Sequence, residues 1–296
     1  MTPLGGSPVG LAFAQGSVWA AVASSNQLTR LDAAGGDVLD MFAVGDTPLR
    51  MSVTPHGIWV SEFKAGSVAL VDPTSGTVTT RVKVGAEPEG LTTDGRQVWV
   101  VLQRESQLVQ LNAATGAVAR TVRLPAGGEP RLAAYAPAAA GRSATVWVLD
   151  YGGDRVVPVD AATGKVGTPV AACTGPQALD VDGGTLWVAC LSGRLVAVDL
   201  ATGKVRGTLD LTGLDGSPDA VTVAGGKVWV ALSTGPAVLA VDPATLTVTG
   251  YSKLGDDAAL TNADVDVLVA AGQVWVSSWN GQGVHHVAVG SLGPPP

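Results

Sequence analysis

Histidine and cysteine are the scarcest chemistry-bearing residues here, with 3 His and 2 Cys in 296 residues. So small a supply excludes a Cys-rich metal framework or a disulfide-dense scaffold, and no HExxH, paired CxxC or GxSxG occurs. Charge is sparse as well: Asp, Glu, Lys and Arg make up 15%, against about 25% in ordinary domains. The balance is −7 with no basic cluster, which argues against nucleic acid or an anionic membrane as partner. No apolar run reaches the roughly 20 residues of a membrane span, and the opening MTPLGGSPVG does not read as a secretory leader. Helical periodicity with capping signals is missing too. What the chain does have is 46% hydrophobic residues, 39 Gly and 18 Pro, the composition of a large core divided by many turns.

Seven of the 8 Trp fall in one local pattern: SVWAAV at Trp19, GIWVSE at Trp59, QVWVVL at Trp99, TVWVLD at Trp147, TLWVAC at Trp187, KVWVAL at Trp229 and QVWVSS at Trp275. Their spacings are 40, 40, 48, 40, 42 and 46 residues, the length of a four-stranded propeller blade. A short apolar segment opened by Pro precedes most of them, at Pro8, Pro48, Pro88, Pro130, Pro176 and Pro218, and Asp264 stands in that place in the last unit. After most of the Trp strands comes an alternating strand ending in Asp (LTRLD, VALVD, VVPVD, LVAVD, VLAVD), then a turn such as PTSG or AATG and a fourth strand. The expected fold is therefore all-β: a single seven-bladed β-propeller of four-stranded antiparallel blades, over about 8–47, 48–87, 88–129, 130–175, 176–217, 218–263 and 264–290 with 2–5. Only six fourth strands can be counted. The last blade is thus closed incompletely or by the short N-terminal segment Thr2–Pro3–Leu4, and trimming of a longer N-terminal segment is the preferred explanation.

Most recurring residues have structural work. Tryptophan mid-strand fills the space between adjacent blades. Asp32, Asp72, Asp160, Asp199 and Asp242 each precede a turn and accept its backbone N–H groups; spread one per blade, they are not a calcium site. The run Asp180–Gly184 (DVDGG) reads as a hairpin turn. His56 lies in a turn, and His285 and His286, adjacent in a strand, point to opposite faces and cannot share one metal.

Aligning the units shows where they differ. Positions just after the crossover Pro and just after the Trp strand converge on one end of the central channel. They gather Arg50, Glu62, Glu89, Arg131, Asp150, Asp219 and Asp266 there with Phe63, Tyr151 and Trp279. Mixed charge with aromatic walls suits a small organic or peptidic ligand; the competing reading is a solvated rim of weak ion pairs. The inserted crossover 256–262 is placed over the same mouth as a lid.

The repeated VWVA strand, the LxxVDPATGxV strand–turn–strand and the VGxxPxGL crossover resemble the YVTN-type and Vgb-like β-propellers of bacteria, over essentially the whole chain. The resemblance is specific for fold and weak for function. It implies an exported or surface-displayed binding or sensing propeller, extracytoplasmic and monomeric, with a possible fused or partner domain at the N-terminus. The alternatives are a pure protein-interaction scaffold and a lyase. Virginiamycin B lyases, similar in architecture, open a cyclic depsipeptide by elimination with a magnesium ion, a His and a downstream Glu in the last blade. Here residues 287–296 carry no carboxylate, so no catalytic residue is carried over. No cofactor is expected, and magnesium enters only with the lyase reading. Cys173, in the crossover into the fifth blade, and Cys190, ending its Trp strand, reach the same end of one blade and are expected to form a disulfide; the alternative is two buried thiols.

Overall fold

The computed structural model describes residues 1–296 except 215, 234–235 and 256–264. The lid assigned to 256–262, and Asp264, lie outside the described residues. Seven four-stranded antiparallel sheets are arranged as blades, so the expected seven-bladed propeller is the observed fold. Among the described residues, helix is limited to two three-residue 3-10 turns, Ala23–Ser25 and Val289–Ser291.

In six blades the first strand starts at its crossover proline: Pro8–Ala14, Pro48–Thr54, Pro88–Thr93, Pro130–Ala136, Pro176–Asp182 and Pro218–Ala224. A proline lacks the ladder N–H, so the first residue of a strand is where a sheet tolerates it. One extra residue follows each of these prolines as a bulge, between Pro48 and Met51 or between Pro176 and Ala178 for example. The bulge bends the strand and turns the residues after the proline toward the axis. These first strands line the central channel.

Each of the seven tryptophans stands in a second strand, at most 4% exposed, and belongs to a separate apolar cluster that spans two neighbouring blades. Trp19 packs with Ile58, Val60 and Val71 of the second blade. Trp187 packs with Val228, Val230 and Leu239 of the sixth, and Trp275 closes the circle against Leu11, Val18 and Leu31 of the first. The core is thus seven seams, each held by one indole. The turn aspartates behave as expected. The Asp160 and Asp199 carboxylates each accept two backbone N–H groups and a threonine hydroxyl, and the threonine hydrogen bonds hold both below the usual carboxylate value.

The ring closes through Thr2–Pro3, which pairs antiparallel with Gly283–Ala288, placing Thr2 opposite Val284 and Pro3 opposite Gly283. The N-terminal strand is thereby the outermost strand of the last blade. The tail after that blade turns back, and Gly293 forms an isolated bridge with Tyr251 on the outer strand of the sixth blade.

Candidate ligand-binding site along the central channel

At the level of the second residue after the proline, Arg50 and Asp266 face each other across the first blade. Arg50 Nη1 lies 3.7 Å from Asp266 Oδ2 and donates to the Val265 carbonyl at 3.2 Å. The intervening blade presents Gly10 there, where a Cβ would collide with the Leu49 carbonyl and Arg50 Cα, so the inner strands approach closely enough for the pair to form. Two serines fix its backbone. Ser61 Oγ accepts the Arg50 N–H and donates to the Glu89 carbonyl. In the same way Ser277 Oγ accepts the Asp266 N–H and donates to the Val9 carbonyl. Asp266 itself accepts the Leu11 N–H of the first blade at 2.8 Å.

A second group spans blades three to five. Arg131 Nε donates to Glu89 Oε1 at 3.1 Å, its Nη1 reaches Gln177 Oε1 at 3.3 Å, and its guanidinium sits over the Tyr151 ring, 5.5 Å from the centroid. Glu129 stands 4.0 Å from the same Nε and accepts from Gln103 Nε2. Phe63 and Trp279, both half-buried, pack on a small apolar cluster of Val9, Ala23 and Leu49. Asp219, buried at the start of the sixth blade, precedes Ala220 of the channel lining.

Glu62 and Asp150 are placed differently: the structure does not bring them to the channel opening. Both end a second strand and turn back onto their own crossover, fully out of solvent. Glu62 accepts the Gly45 N–H, the Ser67 hydroxyl and a bidentate Arg81. Asp150 accepts the Glu129 and Gly153 N–H groups and Arg155 Nε at 2.7 Å. Burial pushes the Glu62 carboxyl up, but hydrogen bonds from Arg81, Ser67 and Gly45 outweigh it and hold it below the usual range. These are staples of the blades.

Asp180, read from sequence as part of a hairpin turn, is a channel residue. The turn is confined to its end, where Asp182 pairs with Thr185; Asp180 sits two residues earlier and accepts the Val223 N–H at 2.8 Å and the Thr222 hydroxyl at 3.1 Å. Burial pushes its carboxyl up, and the nearby Asp266 adds to this. Burial also pushes Asp266 up, against the Arg50 charge. Asp266 keeps 28% of its side-chain exposure because that exposure is to the channel, which the seven blades enclose. Between these groups lies a cavity of about 230 Å³, lined by all seven inner strands, with Arg50, Asp180, Thr222 and Asp266 as its polar side chains.

His285 is buried, while His286 stacks on Trp275 with centroids 4.7 Å apart; they face opposite ways. Among the described residues no three His, Cys, Asp or Glu side chains gather so as to hold a metal ion. Cys173 and Cys190 are joined by a disulfide, Cα atoms 6.3 Å apart. Pro176 lies opposite Cys190, so the bridge ties the crossover to the strand end beside it.

Residues 64–288 match the PQQ_2 family, described as outer membrane protein assembly factor BamB, and the chain belongs to that β-propeller family. No curated protein matches it in sequence. Among solved structures it is similar to Kuenenia stuttgartiensis hydrazine synthase, with TM-score 0.78 and 17% identity over 97% of this chain and 96% of that one. It is also similar to the computationally designed Ika8 protein, with TM-score 0.71 and 13% identity over 98% and 100%. At these identities the likenesses establish the fold alone.

Proposed function

We propose that this chain is a binding propeller that recognises a small organic or peptidic ligand at the end of the channel where the crossovers converge. The observation that carries this is the Arg131 group. Glu89, Gln177 and Tyr151, from three different blades, converge on one guanidinium, the kind of convergent polar group that fixes a small ligand's orientation. A rim of independent surface pairs would not be cross-connected in this way. The reading places the protein outside the cytoplasm. The disulfide supports this, since such bonds persist in oxidising compartments, as does a family described by an outer membrane assembly factor. It also accommodates the finer resemblance to YVTN-type and Vgb-like propellers. Among the described residues no helix is long and apolar enough to cross a membrane.

The family description favours a second reading, a protein-interaction scaffold that uses the same rim. Calorimetry with a library of N-acetylated tripeptides spanning acidic, basic and aromatic side chains separates the two. Ligand recognition predicts that at least one class binds and that Arg131→Ala weakens it at least tenfold. Failure of every class to bind, or binding untouched by Arg131→Ala, overturns it in favour of the scaffold.

A further inference from the structure

We propose that the outer edge of the first blade, Val38–Ala43, is a docking site for an extended apolar segment of a partner protein with basic residues at its flanks. This strand is the outermost of its blade, on the perimeter rather than at the channel.

The outermost strand of a sheet turns the N–H and C=O of every second residue away from its neighbour. Val44 N–H donates to the Asn26 carbonyl of its own blade, so Met41 and Ala43 are the residues that face outward. In the sixth blade Leu254 N–H bonds the Pro236 carbonyl in the same way, and there Tyr251, the counterpart of Met41, exchanges both backbone bonds with Gly293 of the tail. The molecule thus already adds an extended segment at this position of another blade.

Exposed edges are ordinarily guarded by charge, by proline, by shortness or by a cover, and the other blades follow that rule. The outer strands Val78–Lys83, Val118–Arg123 and Lys204–Asp210 carry Arg or Lys. Thr247–Lys253 has Lys253 and the Gly293 cover. Val170–Ala171 is only 2 residues long, and Thr2–Pro3 ends in proline. Val38–Ala43 has no lysine, arginine or proline, and among the described residues no strand pairs with its outer side. It exposes Val38, Leu39 and Met41, the last by 55%, whereas no other outer strand among the described residues exposes more than one large apolar side chain.

The charge around the strand decides what kind of segment it takes. Between Leu31 and Thr47 stand Asp32, Asp37, Asp40 and Asp46, with no lysine or arginine. Arg30, the cation next to this stretch, is held 3.6 Å from Asp40. A second copy pairing edge to edge would bring these aspartates together, and like charges across a ladder destabilise it. An incoming strand with lysine or arginine beside an apolar centre meets them with the opposite sign. Its main-chain bonds supply affinity and its alternate side chains specificity, as in other strand additions.

Calorimetry of the intact chain with three capped octapeptides tests this: valine and threonine alternating between lysine pairs, the same centre between glutamate pairs, and the lysine form with proline at a central position. The lysine form is expected to bind at least tenfold tighter than the glutamate form, and the proline form not to bind. On saturation with the lysine form, amide exchange at Met41 and Ala43 should slow at least tenfold. Exchange at Thr121 and Arg123, their counterparts in the third blade, should stay unchanged. Leu39→Lys combined with Met41→Lys alters two exposed side chains, and should weaken the lysine form at least tenfold with the circular dichroism spectrum unchanged. Absence of binding, equal binding of the lysine and glutamate forms, or protection elsewhere than at Met41 and Ala43 overturns the proposal on the unaltered chain. Protection there that rises with protein concentration and needs no peptide overturns it in favour of a second copy. Arg131→Ala should bind the lysine form as the parent does; loss in that variant moves the site to the channel mouth and overturns the proposal too. Arg131-dependent tripeptide binding stands or falls separately.

Discussion

The seams between blades and the channel they enclose use buried side chains in opposite ways. In the seams each indole lies in an apolar cluster shared by two blades, and the buried carboxylates Glu62 and Asp150 are each met by an arginine and backbone donors. In the channel, two carboxylates share one arginine, and that arginine serves Asp266. Burial is common to both places, so burial does not mark the site. The supply of partners does.

The largest effect that sharpens this contrast belongs to a seam. Trp187→Ala should cost about 3–5 kcal/mol, while Trp279→Ala, half-buried at the rim, should cost about 1 kcal/mol or less. Urea melts rank the two, and the reverse order would break the division. Reduction of the Cys173–Cys190 bridge, which closes a segment with sequence separation 17, should lower stability by about 3 kcal/mol in the chain-entropy model. Non-reducing mass spectrometry of protein purified without reductant should show no alkylatable thiol. Glu62→Gln should cost about 2 kcal/mol at neutral pH by leaving donors on Arg81, Ser67 or Gly45 poorly met. The Glu62 carboxyl is held below its ordinary range, so its contribution is present above the unfolded value near ~4.3 and is lost as pH falls through the folded one. The Glu62→Gln deficit should therefore shrink in acid.

Much of the architecture is legible in the residues themselves. Tryptophan spacing and crossover prolines locate the second and first strands; the shortage of one fourth strand leaves closure by Thr2–Pro3–Leu4 or incomplete closure, with trimming of a longer segment preferred, and the structure pairs Thr2–Pro3 there. Legibility fails where a side chain's direction depends on a neighbour remote in sequence. Glu62 and Asp150 stand at positions that converge on the mouth, yet fold back onto crossovers whose Gly45 and Gly128 leave room; a Cβ at either glycine would strike the carboxylate. Those glycines, with Arg81 and Arg155 on other strands of the same blades, are the available signal. Asp180 was hidden by the turn-like DVDGG run. Its position, four residues after Pro176, corresponds to Thr222 in the next blade, and the Asp266 that completes its surroundings is two blades away in the ring.

The central claim is that the channel, unlike the seams, holds a carboxylate, Asp180, with no arginine or lysine of its own among the described lining residues, and the pH dependence of the Asp180→Asn variant tests it most directly. Burial and Asp266 push the Asp180 carboxyl up. Its cost to the fold is therefore full above the folded value, diminishes as pH falls through it, and is gone below the ordinary aspartate range near ~3.9. Ligand-free Asp180→Asn should melt above the parent protein at pH 8 by about 1 kcal/mol, or roughly 2–4 °C, and that lead should vanish toward pH 4, opposite in sign to Glu62→Gln. A variant that melts below the parent at pH 8, or whose difference does not change with pH, would show Asp180 to be as well partnered as the carboxylates of the seams and would contradict the account.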